Sequence, residues 1–245
     1  MARFLGVILL AAALSAPGFP PATAQDKQPA QVIVLSVLHQ LHGEIEGYDF
    51  DVLAQTIERL HPDVLAVELT AADLESRREQ PNKQEYQRSV FPLLDRHGYG
   101  AVPLEPDQPR YDELVGLFRG AAIGLRQDHP DRAESFDLFV QSLYQLLEEK
   151  WVSPSAVNSR ETDLLFESKH RFQGLLFGPD ERAAWEGWNQ HFLQQILKAA
   201  AGHPGKRILV LVGAEHAYWL RSQLSGRNLE LLDTEALLSF SAGIH

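Results

Sequence analysis

Apolar and polar positions alternate along this chain between a strand spacing and a helix spacing. Val32–Leu38 (VIVLSVL) is a short, apolar, partly β-branched run and predicts a strand buried on both faces. Phe50, Leu53, Ile57 and Leu60 recur at helical spacing and predict a helix over Phe50–Leu60, capped by Asp49 or Asp51. His61-Pro62-Asp63 stops it, and Val64–Leu69 predicts a second strand with Glu68 near its end. This is a strand–helix–strand unit, for which a right-handed parallel crossover is expected. Residues 70–97 are polar, with a helix expected around Gln84–Arg96. Gly98-Tyr99-Gly100 then turns the chain into a short strand, Ala101–Leu104, which Glu105-Pro106 ends.

From about Tyr111 to Ala201 no strand pattern recurs. Helical spacing covers Tyr111–Leu125, Ala133–Lys150, Ser155–Phe172 and Glu181–Ala201, divided by turn signals such as Asp128-His129-Pro130 and Gly178-Pro179. Ile208–Val212 is a fourth strand, Gly213 breaks it, and Ala214–Leu224 reads as a helix; Leu229–Leu232 is a short fifth strand. The pattern predicts an α/β fold: a mainly parallel sheet flanked by helices, with a helical insertion at about 110–201 in one domain spanning 25–245. In such folds ligands gather at the carboxyl edge of the sheet.

Composition narrows the setting. The chain has 245 residues, 44% hydrophobic and 22% charged, enough for one good core. Residues 1–24 read as a signal peptide: Arg3, the apolar run Phe4–Leu14, and Ala22-Thr23-Ala24 before the cut. The mature protein is expected to be exported, periplasmic or secreted, with no transmembrane segment left after signal removal. It has no cysteine, hence no disulfide and no cysteine-linked lipid. Losing Arg3 takes the formal charge from -11 to -12. That disfavours nucleic acid and anionic membranes as partners; a small-molecule or peptide substrate is what a hydrolase reading of the strand ends expects.

The strand ends carry the candidate chemistry. The C-terminal end of the first strand carries Ser36, His39 and His42, Glu68 closes the second, Glu105 the third, and Glu215 and His216 open the helix after the fourth. Two imidazoles and a carboxylate form a common ligand set for a catalytic divalent metal such as Mn, Co, Fe or Zn. A remaining carboxylate, Glu44, Glu105 or Glu215, could then carry protons. The chain has no H-E-x-x-H, P-loop, G-x-S-x-G or dinucleotide loop, and no cysteine nucleophile. Each residue also has a plain reading. His39 and His42 read singly as loop histidines bonded to backbone. Glu215 suits a helix N-terminus electrostatically. Glu105 suits a turn, while Trp185, Trp188 and Phe192 suit helix packing. Glu68 in an apolar strand and His216 beyond a glycine turn are harder to read that way, because a buried polar group needs a partner.

This arrangement resembles the TraB/GumN and Tiki superfamily, which includes erythromycin esterase-like and ChaN-like proteins. That family shows a strand followed by G-x-x-H, a strand ending in Glu, and a second G-x-x-H after a C-terminal strand. Here Gly213-Ala214-Glu215-His216 keeps the second motif and Glu68 matches the glutamate. Ser36-Val37-Leu38-His39 has serine in place of the first glycine. Trp188-Asn189 matches the asparagine, but not the arginine, of a family Arg-Asn pair. The resemblance implies a pocket built from these motifs and a metal-dependent hydrolase of amide or ester bonds. His39, Glu68 and His216 would be metal ligands and catalytic groups, His42 the alternative first ligand, and Glu215 or Glu105 a proton carrier. The ChaN-like members imply an alternative, a haem- or metal-binding protein without catalysis, and the departures at Ser36 and Trp188 suggest another, a degenerate scaffold with an interaction role. The oligomeric state leaves no mark in the sequence.

Overall fold

The computed structural model describes residues 28–240, so the signal-peptide reading of residues 1–24 lies outside the described residues. Five parallel strands form one sheet: β1 (Gln31–Val37), β2 (Val64–Val67), β3 (Gly100–Pro103), β4 (Arg207–Gly213) and β5 (Glu230–Leu231). Their order is β3-β2-β4-β1-β5. The predicted α/β class and parallel sheet are therefore observed. β1 and β2 are parallel but not neighbours, because β4 lies between them. β4 pairs with β1 from Gln31↔Arg207 to Val37↔Gly213, and with β2 from Val64↔Ile208 to Val67↔Leu211.

Strand residues alternate between two buried faces, as the pleat requires. Ile33, Leu35, Leu65, Val67, Leu209 and Leu211 face one apolar cluster; Val32, Val34, Val64, Ala66, Ile208 and Val210 face the other. Burial on both sides explains why these strands read as continuous apolar runs. The first face is covered by α1 (Phe50–Arg59) and α3 (Phe91–His97), and by Leu143 and Phe166 from the insertion. The second is covered by α8 (Pro179–Gly202) and α9 (Ala214–Leu224). Asp49 caps α1, accepting the Val52 N–H at 2.8 Å.

The insertion holds α4 (Arg110–Asp128), α5 (Pro130–Lys150), α6 (Pro154–Val157), α7 (Arg160–Phe177) and α8. The helix expected over Ser155–Phe172 is two helices, α6 and α7. Between them Asn158 Oδ1 accepts the Ser36 N–H at 2.8 Å, and Ser159 caps the next helix through the Thr162 N–H. The helix expected around Gln84–Arg96 begins as a π turn, Tyr86–Val90, and becomes α3. Two helices were not predicted: α2 (Ala71–Ser76) and α10 (Thr234–Phe240).

Candidate functional site

The strand order brings three motifs together. β4 lies between β2 and β1, so Gly213 at its end is flanked by Glu68 and His39. His39 takes a φ of +53°. A non-glycine residue in this left-handed region costs about 1–2 kcal/mol, so its surroundings must hold it there. Its ring lies over Gly213, where a Cβ would come within 2.6 Å of Nε2. Only glycine fits without pushing the imidazole away. Nδ1 of His39 is 2.8 Å from Glu85 Oε1, and Nε2 is 3.7 Å from Glu68 Oε1. Burial alone would lower the His39 pKa, but the two carboxylates outweigh it and raise the pKa above its ordinary value.

His42, three residues further on, faces the core and is fully buried. Its Nε2 accepts the Leu38 N–H at 2.9 Å, which leaves Nδ1–H to donate to the Tyr48 carbonyl. Burial lowers its pKa to about 4, so it is a neutral structural histidine. Of the two histidines the sequence left open, His39 is the one at the site. Glu44 is exposed at the end of the same turn and does not join the strand-end cluster.

Glu68 follows β2 and is 5% exposed. Its Oε2 accepts the Gly213 N–H at 2.7 Å, and its Oε1 lies 3.0 Å from Lys83 Nζ. Its own N–H donates to the Tyr86 hydroxyl at 2.8 Å, which ties the π turn to the strand end. Burial would raise the Glu68 carboxyl. The Lys83 ammonium, then His39, His216 and the Gly213 N–H, pull it down to about 2. Lys83 also donates to Glu105 Oε1 at 2.7 Å. Burial raises Glu105 despite that ammonium. Glu85, fully buried, holds His39 through Oε1, while its Oε2 makes no hydrogen bond. Sequence reading missed both Lys83 and Glu85.

His216 sits in the first turn of α9. Asn189 Nδ2 donates to the Trp185 carbonyl at 2.8 Å, so Asn189 Oδ1 faces His216 Nδ1, 2.9 Å away. Nδ1 is therefore the protonated nitrogen, and Nε2 keeps its lone pair. Trp185 stacks on His216 at 4.8 Å and on His170 at 3.6 Å. Burial lowers the His216 pKa to about 4, although Glu68 opposes it. Asn189, matched through the resemblance, thus joins the site. Its neighbour Trp188 packs on Tyr111 and Phe192.

Glu215 points toward the insertion. Tyr144 donates to its Oε1 at 2.6 Å, Lys169 donates to its Oε2 at 2.7 Å, and His170 Nε2 lies 2.9 Å from Oε2. Burial would raise this carboxyl, but Lys169 and His170 hold it well below the usual carboxylate range. It clamps α9 to α5 and α7, a role that suits a permanent anion better than a proton carrier. The serine at position 36 is accommodated: its Oγ lies 3.4 Å from Arg221 Nη2, and its N–H bonds Asn158.

Two hollows meet at His216 and Glu215. One, about 280 Å³, is lined by His39, Tyr144, Trp151 and Gly213. The other, about 360 Å³, is lined by Glu68, Lys83, Glu105, Trp185 and Trp188. Among the described residues no three His, Asp or Glu side chains are grouped to hold a metal ion. The donor chemistry gives a reason. Glu68, the carboxylate of the expected ligand set, already holds an ammonium on one oxygen and a backbone N–H on the other. As arranged, these residues do not fit a divalent ion. Comparison with protein-family models, curated proteins and solved structures finds no match for this chain.

Proposed function

We propose that this chain is an exported hydrolase that cleaves a small ester or amide at the carboxyl edge of its sheet, with His216 as general base and His39 as general acid. One observation carries the reading: two imidazoles flank a single carboxylate, and their environments displace their pKa values in opposite directions. His216, lowered to about 4, is neutral at pH 7, with its lone pair on Nε2. His39, raised by Glu68 and Glu85, favours the imidazolium. Such divergence is how one site supplies an acid and a base together. Hollows of about 280 and 360 Å³ suit a small molecule or one side chain of a peptide.

In this mechanism His216 Nε2 takes a proton from water as the water oxygen attacks the carbonyl carbon. His39 gives its proton to the departing oxygen or nitrogen. The Glu68 carboxylate stabilises the charge that moves onto His216, and Glu85 keeps His39 oriented and charged. Proton exchange with solvent resets both rings. The test is a screen of small esters and peptide amides with the mature protein. His39→Ala and His216→Ala are each expected to lower kcat/KM by roughly 10²–10⁴. Turnover that survives both substitutions unchanged would sink this assignment.

A further inference from the structure

Lys83 and Glu85 stand two residues apart, just before the π turn, and they complete a chain of alternating charge across the strand ends. Its order is Glu105, Lys83, Glu68, His39, Glu85, with successive separations of 2.7, 3.0, 3.7 and 2.8 Å. The Lys83 ammonium has three protons and three acceptors: Glu105 Oε1 at 2.7 Å, the Glu68 carbonyl at 2.8 Å, and Glu68 Oε1 at 3.0 Å. No proton is left over for a substrate. Its side chain is 14% exposed, so water competes little for these contacts. Two carboxylate oxygens and a carbonyl oxygen around one cation also make up the donor chemistry of a hard divalent metal.

We infer that the Lys83 ammonium is the resident cation of this centre, occupying the place a divalent metal would need and holding Glu68 for the two histidines. A divalent ion added beside it would put like charges together and break the alternation. Removing the ammonium would leave Glu68 and Glu105 facing one another with nothing between them, an arrangement that recruits a cation. Lys83 is thus a positioning residue.

The experiment is equilibrium dialysis of the mature protein against Mn²⁺, Co²⁺ or Zn²⁺, with bound metal counted by elemental analysis. Wild type and Lys83→Arg, which keep the charge, are expected to hold no ion that Glu68→Gln releases. Lys83→Ala is expected to gain about one ion per chain and to lose it when combined with Glu68→Gln. Its Tm should also rise by roughly 5–10 °C at a hundredfold excess of ion over Kd, with no such rise in wild type. Two results would overturn the inference. One is a wild-type ion lost on Glu68→Gln. The other is a Lys83→Ala protein that is folded by circular dichroism and takes up no ion. If Lys83→Ala fails to fold, wild type and Lys83→Arg still decide. The readout is cation content, so it stands or falls separately from hydrolysis by His39 and His216.

Discussion

The sheet edge and the helical insertion treat burial in opposite ways. At the edge, polar groups are taken out of water and paired: Glu68 is 5% exposed, Glu85 fully buried, and both are ion-paired. In the insertion, apolar groups are left in water, with Leu175 80% exposed and Leu138 58%. Buried charge is costly unless compensated, whereas scattered exposed leucines cost little. The edge is therefore the tightly determined region. The insertion reaches it through Asn189, Trp185 and Phe192 against His216, and through Lys169, His170 and Tyr144 against Glu215.

The contrast can be broken most sharply at Lys83. Lys83→Met leaves Glu68 and Glu105 without their cation. Breaking a buried pair of this kind is expected to cost about 3–5 kcal/mol in urea unfolding, measured with no divalent ion present. Acid attacks the core beside this edge through His42. Its folded pKa of about 4 lies below its ordinary 6.5, so the unfolded chain binds the proton more readily. Stability is full above about pH 6.5 and falls as pH drops toward 4, by ~3 kcal/mol from this residue. Unfolding midpoints at pH 7 and pH 4.5, wild type beside His42→Gln, would check this; the wild-type drop should be the larger.

Gly213→Ala drives a methyl group into the His39 ring. The expected cost is about 1–3 kcal/mol of stability and roughly a hundredfold in kcat/KM. Glu85→Gln removes one of the two carboxylates that raise His39. The alkaline limb of the pH–rate profile, where the acid form of His39 is lost, should move to lower pH, with a lower rate at neutral pH. At the other extreme, Leu175→Ser is expected to change stability by less than about 0.5 kcal/mol and to leave turnover alone. A large effect there would mean that the exposed insertion is as constrained as the edge.

Sequence reading found what periodicity and chain breaks reveal. The five strands, and the placing of His39, Glu68 and His216 at their ends, follow from apolar runs that stop at Gly213 or at polar residues. It could not separate His39 from His42, because three residues of turn let either reach the edge. The Leu38 N–H and the Tyr48 carbonyl decide between them. Lys83 and Glu85 were invisible for another reason. They lie in a polar stretch whose π turn has no helical or strand period, and no local signal distinguishes them from surface charge. The one usable hint was that Glu68, buried at a strand end, needed a cation. The helix break at Asn158 was overlooked: Ser159 caps the helix that follows, and Asn158 is held by Ser36 and Arg221 from distant parts of the chain.

The position of β4 has a consequence for the order in which the protein can be made. Residues 207–213 are synthesised after β1, β2, β3 and the insertion, yet they fill the gap between β1 and β2. A nascent chain that ends at the close of the insertion holds a single pair, β2 with β3, and a β1 with neither of its eventual partners, β4 and β5. His39 then has no Gly213 beneath it, and β1 is an apolar ribbon with both edges open, the kind of surface that templates aggregation. The strand-end site is thus closed only when residues 207–213 arrive, and folding must wait for contacts about 176 residues apart, Gln31 with Arg207.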